Sequence, residues 1–231
     1  SLQESIVRTA RERGCPVVGD IELFAREAPA PIAAITGTNG KSTVTTLVAE
    51  IANAGGRRTV AGGNLGEPAL DLLERPTPDL YVLELSSFQL ETTYSLRTVA
   101  STVLNVTPDH MDRYASLEAY GAAKARIFDG CDVAVINADD PAVRGMPRPG
   151  QSVVSFSLES READYTLERT PAPMIVRRAE PLLPLAALRL QGLHNAANAM
   201  AALALAEALE LPLAPALDAL CAFTGLPHRS Q

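Results

Sequence analysis

Tryptophan is absent from this 231-residue chain, and aromatic residues reach only 4%, as 5 Tyr and 5 Phe. That scarcity argues against a base-stacking surface of the kind single-strand binders use. Cysteine is equally sparse. Cys15, Cys131 and Cys221 are odd in number and far apart, with no CxxC spacing. Neither a zinc site nor a disulfide framework is indicated, and buried thiols in a reducing cytosol are the plain reading. Positive charge is short: 20 Lys+Arg stand against 27 Asp+Glu, for a net charge of −7 and a pI near 5.0. Binding phosphates non-specifically needs an excess of cations, so no nucleic-acid partner is predicted. No apolar run approaches the roughly 18 residues of a membrane span; the run Ala199 to Ala206 stops at Glu207, so no integral membrane protein is expected. Ser1 to Ser5 shows neither a basic n-region nor an apolar h-region, so the sequence predicts no secretory signal and a cytoplasmic location. An initiator Met is lacking too, which fits a processed chain or a piece of a longer one.

What is present is globular: 47% hydrophobic and 20% charged residues, with mean hydropathy +0.07. The length suits one large α/β domain or two small ones. Residues 1–15 read as a charged helix, and Gly19 to Phe24 as a turn in which Asp20 caps a short helix ended by Pro29 and Pro31. Short apolar runs then predict strands at Ile32–Ile35, Leu80–Leu85, Thr102–Val106, Val133–Asn137 and Val153–Phe156. Helical spacing marks Lys41–Ala54, Ser116–Phe128, Asn195–Leu209 and Ala214–Phe223. This alternation predicts an α/β fold with a mostly parallel sheet covered on both faces. Tyr165 to Val176 alternates around Pro171 and Pro173 and reads as a small antiparallel subsheet.

The strongest motif is Ile35-Thr36-Gly37-Thr38-Asn39-Gly40-Lys41-Ser42-Thr43, placed after a strand and opening a helix. Such a P-loop-type bend turns backbone N–H groups toward one anion, and the helix N-terminus adds about half a positive charge. Lys41 can reach β- and γ-phosphates, and the Ser42 hydroxyl can ligate Mg²⁺. The spacing is shorter than G-x-x-x-x-G-K-[ST]: Ile35 stands where the first Gly belongs.

Other segments carry candidate chemistry with alternatives left open by the residues alone. Glu84, at a strand end before Leu85-Ser86-Ser87-Phe88-Gln89, is a candidate Mg²⁺ ligand or else a cap or ion-pair partner. Ser86, Ser87 and Gln89 can donate to a polar substrate. His110, in Asn105-Val106-Thr107-Pro108-Asp109-His110, is a metal ligand or a structural imidazole. Lys124 lies on the inward face of its helix: it snorkels to solvent, or it stays buried near a cation with a lowered pKa and reacts with CO₂ to give an oxygen-bearing carbamate. Asn195 and Asn198 share one helix face and read a base edge or phosphate, unless Asn195 merely caps.

Taken in order, the loop Gly37 to Ser42, Gly63-Asn64-Leu65-Gly66, Glu84 to Leu90, Gly19 to Phe24 and Gly225-Leu226-Pro227-His228-Arg229 resemble the Mur ligase family, ATP-dependent amino-acid ligases of peptidoglycan assembly. The resemblance runs through essentially the whole chain and is strongest to the branch that adds D-glutamate to UDP-N-acetylmuramoyl-L-alanine. It implies a central ATP-binding domain at 29–225, preceded by a remnant of an N-terminal region at 1–28 and followed at 226–231 by the start of a hinge to a C-terminal domain. It also implies that the fragment alone is inactive and works with flanking domains. By resemblance, Gly37, Thr38, Asn39, Gly40, Lys41, Ser42, Thr43, Asn195, Asn198 and Arg229 hold ATP. Ser42, Glu84, His110 and a carbamylated Lys124 serve two Mg²⁺ sites, with Lys41, Lys124 and His110 catalytic. Asn64, Ser86, Ser87 and Gln89 meet the muramoyl substrate. A related folylpolyglutamate-type ligase, or a nucleotide-binding fragment without activity, are the competing expectations.

Overall fold

The computed structural model describes residues 5–226. Two helices lead in, α1 (Ser5–Glu12) and α2 (Asp20–Glu27). Strands and helices then alternate: β1 (Ile32–Thr36), α3 (Lys41–Ala54), β2 (Thr59–Gly63), β3 (Leu80–Glu84), the single turn α4 (Ser87–Leu90), β4 (Thr98–Val103), α5 (Leu117–Ala125) and β5 (Cys131–Asn137). A short α6 (Pro141–Arg144) precedes β6 (Ser152–Ser157), β7 (Tyr165–Glu168), β8 (Met174–Arg177) and β9 (Glu180–Pro184). Helices α7 (Leu193–Ala208) and α8 (Leu213–Ala222) follow.

Among the described residues the strands form one sheet in the order β2-β3-β1-β4-β5-β6-β7-β8-β9. Pairing is parallel from β2 to β7 and antiparallel through β7, β8 and β9. The expected α/β class with a small antiparallel part is thus the one observed. The antiparallel strands continue the main sheet, and β9 extends them beyond the predicted segment.

Period-2 geometry explains why β1 is buried throughout. Ile32 and Ala34 join Ile21, Phe24, Tyr81 and Leu83 on one face. Ala33 and Ile35 join the stripe Val44, Leu47, Val48 and Ile51 of α3, with Met200 and Leu203 of α7, on the other. Each of the larger aliphatic and Phe side chains here stabilises by about 1.5–3 kcal/mol on burial. The register aligns Ile35 and Gly63 with Glu84, and Thr36 with Val103. The C-terminal ends of β1, β2, β3 and β4 therefore share one edge, where parallel sheets open a ligand crevice.

Three local expectations are corrected. The strand expected at Thr102–Val106 lies at Thr98–Val103. Its start is polar and escaped the apolar pattern, because Thr98 and Ser101 bond hydroxyl to hydroxyl at 2.7 Å inside the sheet. Beyond it, Leu104 N makes a last bond to Thr36 O at 2.9 Å and the chain turns away. Strand β2 was not anticipated from Thr-Val-Ala-Gly-Gly. Its glycine is there for contact, since a Cβ on Gly63 would stand 2.5 Å from Glu84 O. Asp20 is not an N-cap: Gly19 holds that position, and the Asp20 carboxylate accepts from Gln89 Nε2 at 3.0 Å instead.

Candidate active site

The bend between β1 and α3 is built by two glycines. Gly40, the N-cap of α3, has φ 84°, and a Cβ there would meet Asn198 Oδ1 at 2.6 Å. A Cβ on Gly37 would press within 3.0 Å of the Leu104 side chain. Just after Gly40 the first-turn amides of α3 lack intrahelical partners, as at any helix start, and such a helix start suits an anion. Lys41 Nζ donates to Gly37 O and Thr38 O, both at 3.0 Å, so the lysine arches over the loop. Ser42 is buried at the same helix start.

Lys124 donates to that same Gly37 O at 2.8 Å from α5. It is 1% exposed, so the sequence alternative of a snorkelling lysine does not hold. Burial and then the charge of Lys41 pull its pKa from 10.5 to about 7, against a smaller opposing pull from Asp109. Lys41 and Lys124 are the only two lysines in the chain, beside 18 arginines. An always-charged guanidinium cannot replace an amine whose proton is lost near neutrality. The Lys124 ammonium also lies 4.4 Å over the Tyr120 ring, and Tyr120 packs 6.2 Å from the His110 imidazole. His110 is half-exposed, takes φ 54°, and leans on Phe88 at 4.9 Å with Asp109 Oδ2 3.6 Å from its Nε2.

Glu84 is 2% exposed, at the end of β3. Asn64 Nδ2 donates to its Oε1 at 2.8 Å, while Oε2 is buried with no hydrogen-bond partner. An orphaned carboxylate oxygen inside a protein carries a desolvation cost that a cation would remove. The Ser42 hydroxyl at the start of α3 is a hard-oxygen donor of the same kind, and hard oxygens suit Mg²⁺. Among the described residues no three His, Cys, Asp or Glu side chains converge. A cation held here would therefore complete its shell with phosphate oxygens and water, as Mg²⁺ commonly does.

Ser86 and Gln89 form a capping box on α4: Ser86 Oγ accepts from Gln89 N, and Gln89 Oε1 accepts from Ser86 N. With Nε2 on Asp20, both the oxygen and the nitrogen of the Gln89 amide have a partner within the chain. Ser87 is buried. Asn195 and Asn198 lie on one face of α7 and line a cavity of about 310 Å³ with Asn39, Gly40, Thr43, Asn105 and His194. Gly192, not Asn195, caps α7, and Asn195 Nδ2 bonds back to Gln191 O. Arg229 lies outside the described residues.

Sequence reasoning missed Asn105, Asn137 and His194 in this neighbourhood. Asn137 ends a strand, Asn105 follows one and His194 opens a helix, which is the one signal that could have found them. Asp139 and Asp140, just after β5, bond within the chain: Asp140 accepts from Val106 N and Ala142 N, and Asp139 from Ser157 Oγ and Leu158 N.

Comparison with known proteins agrees with this geometry. The Mur ligase middle domain model matches residues 35–206. UDP-N-acetylmuramoylalanine–D-glutamate ligase of Nitrosococcus oceani is 56% identical over the whole chain, and that of Escherichia coli K12 52%. The chain spans about half the length of these relatives, 51% and 52% respectively. Among solved structures, UDP-N-acetylmuramoyl-L-alanyl-D-glutamate–2,6-diaminopimelate ligase superposes with TM-score 0.77 at 28% identity, over 88% of this chain and 48% of that one. UDP-N-acetylmuramate–alanine ligase of Thermotoga maritima does so with TM-score 0.70 at 27% identity, over 99% and 54%. The chain belongs to the Mur ligase middle domain family.

Proposed function

We propose that this chain is the ATP-binding middle part of a cytoplasmic ligase that adds D-glutamate to UDP-N-acetylmuramoyl-L-alanine, a step of cell-wall peptidoglycan synthesis on which bacterial shape and division depend. In this reading residues 29–225 are the ATP-binding domain, flanked by 1–28 and 226–231 as the joins to domains that hold the other substrates. The observation that carries it is the meeting of the glycine bend, two lysines on one carbonyl, and the buried, half-satisfied carboxylate of Glu84.

The chemistry is amide formation. A carboxylate oxygen of the muramoyl-alanine bonds to the γ-phosphorus of ATP, the β–γ bridging P–O bond breaks, and ADP leaves. The amine of D-glutamate then bonds to the acyl carbon, phosphate departs, and the nitrogen loses a proton. Two anions must approach each other, so charge neutralisation and positioning dominate the barrier. Lys41 and the amides from Gly40 to Thr43 orient the triphosphate, on a loop that Gly37, Thr38 and Asn39 lead into, with Asn195, Asn198 and Arg229 on the nucleoside. Asn64, Ser86, Ser87 and Gln89 form the rim on the acceptor side, Gln89 as a braced element. Ser42 and Glu84 would hold one Mg²⁺ and His110 a second, and the metal when bound would supply positive charge that offsets phosphate oxygens. Lys124 is neutral in part near pH 7; its amine nitrogen would bond to the carbon of CO₂ and release one proton to solvent, leaving a carbamate whose oxygens would serve as cation ligands.

Calorimetric titration of the chain with AMPPNP tests this reading. Binding that strengthens with Mg²⁺ and is lost in Lys41→Ala supports it; binding indifferent to both refutes it. In the full-length ligase Lys41→Ala is expected to slow turnover by roughly a thousandfold, as loss of a phosphate charge clamp does.

A further inference from the structure

The phosphate loop is tied along one side to the segment that leaves β4. Thr38 N donates to Asn105 O at 3.0 Å and also to Asn105 Oδ1 at 3.1 Å. Asn39 N donates to the same Oδ1 at 2.8 Å, and Asn105 Nδ2 donates back to Asn39 O at 3.1 Å. One carboxamide thus satisfies two loop amides and one loop carbonyl. A second tie stands beside it: Thr38 Oγ1 donates to Thr107 O at 3.2 Å and accepts from Thr107 N at 3.1 Å.

The segment that grips the loop is itself anchored. Asn137 Nδ2 at the end of β5 donates to Leu104 O at 3.0 Å, and Asp140 Oδ2 accepts from Val106 N at 2.8 Å. Gly37 sits flat against Leu104, where no Cβ fits. The loop is therefore held from the β4 side by a braced wall instead of closing on itself.

We propose that Asn105 is a positioning residue for phosphate binding: its carboxamide clamps Thr38 and Asn39 so that the first-turn amides of α3 meet the phosphates in a preset geometry. The assignment rests on the nucleotide reading of this loop and extends it. Two amides that a longer loop would aim at phosphate are committed to Asn105, and the anion is left to the amides from Gly40 onward and to Lys41. Preorganisation of this kind raises affinity by removing the ordering cost at the moment of binding. Its bonds go to the phosphate loop, yet Asn105 also lines the cavity assigned to the nucleoside, so adenosine is the control that separates a preset loop from a direct nucleoside contact.

Calorimetry on the 231-residue chain with AMPPNP and, separately, with adenosine distinguishes the possibilities. Asn105→Ala removes the three side-chain bonds. Asn105→Asp keeps both acceptor bonds, loses the donor to Asn39 O and adds negative charge beside the loop, so it folds even if the alanine variant does not. Both are expected to weaken AMPPNP by about tenfold or more while adenosine affinity stays within about twofold. An AMPPNP affinity within about threefold of the unmodified chain, or an equal loss for both ligands, overturns the assignment alone. An unmodified chain that binds no AMPPNP overturns the nucleotide reading and this assignment with it.

Discussion

Lys41 and Lys124 donate to the same acceptor, the carbonyl oxygen of Gly37, at 3.0 and 2.8 Å. Two ammonium groups on one oxygen repel, and Lys124 is the one that yields, because burial already disfavours its charge. With only two lysines in the chain, a ¹⁵N-lysine sample gives two side-chain nitrogen signals, and one is expected to titrate near pH 7. Lys41→Met should move that midpoint upward. A midpoint that stays put in the variant would mean burial acts alone.

The same shift has a stability consequence. Lys124 is depressed in the folded chain relative to its unfolded value of 10.5. Below pH 7 both states carry the proton, and the full cost of burying the charge is felt. Between about 7 and 10.5 the unfolded chain binds more protons, so the cost is relieved as pH rises. Lys124→Met is therefore expected to stabilise the chain by a few kcal/mol at pH 6, the gain shrinking toward pH 10.5. Urea unfolding at several pH values checks this, and an equal effect at all pH values contradicts it.

Glu84→Gln removes the charge that Asn64 orients while keeping the side chain's size. Mg²⁺ is expected to enhance AMPPNP affinity in the unmodified chain and to lose that enhancement in the variant, by about tenfold or more. Thermal stability should hold or rise, because a buried carboxylate oxygen without a partner no longer has to be desolvated. Unchanged Mg²⁺ dependence in Glu84→Gln would exclude Glu84 as the ligand.

The phosphate bend was legible as a glycine motif between strand and helix, the strands carrying Ile32–Ile35 and Leu80–Glu84 as short apolar runs bounded by turn residues, and the helices α3 and α7 as apolar segments with clear punctuation. The start of β4 was not, since Thr98 and Ser101 satisfy each other inside the sheet and look like a loop on paper. Gln89 was legible as a polar residue near a crevice but not as an engaged one, because its partners are Asp20, 69 positions away, and Ser86, its capping-box partner. Asn105 escaped for the same reason: its meaning lies in Thr38 and Asn39, 67 and 66 positions earlier. Local pattern names the elements, whereas long-range polar pairing has no period to read.

Gly40 has a left-handed φ of 84° and no room for a Cβ beside Asn198. Gly40→Ala is expected to cost about 1–3 kcal/mol from backbone strain alone, with further loss from the contact. Asn198→Gly in the same chain should recover the contact part and leave the strain part. Thermal melts of the single and double variants separate the two. Full recovery in the double variant would show that φ contributes nothing.

Glu22 ties α2 to the segment before β4. It is buried and accepts from Tyr94 N at 2.7 Å, Ser95 N and Ser95 Oγ at 2.9 Å, and Arg26 Nε at 2.9 Å. Burial pushes its pKa up, but the amide bonds, then Arg26 and the Ser95 hydroxyl, outweigh that and bring it from 4.5 down to about 2. A depressed carboxylate gives stability that is complete above about 4.5 and is lost as pH falls through about 2. Glu22→Gln is therefore expected to cost about 1–3 kcal/mol at pH 7, with the gap to the unmodified chain closing between about 4.5 and 2. AMPPNP affinity should be unaffected, because α2 reaches the proposed acceptor rim through the Asp20–Gln89 bond and not the phosphate loop. A gap that persists unchanged at pH 2 would show that shape, not charge, is what Glu22 provides.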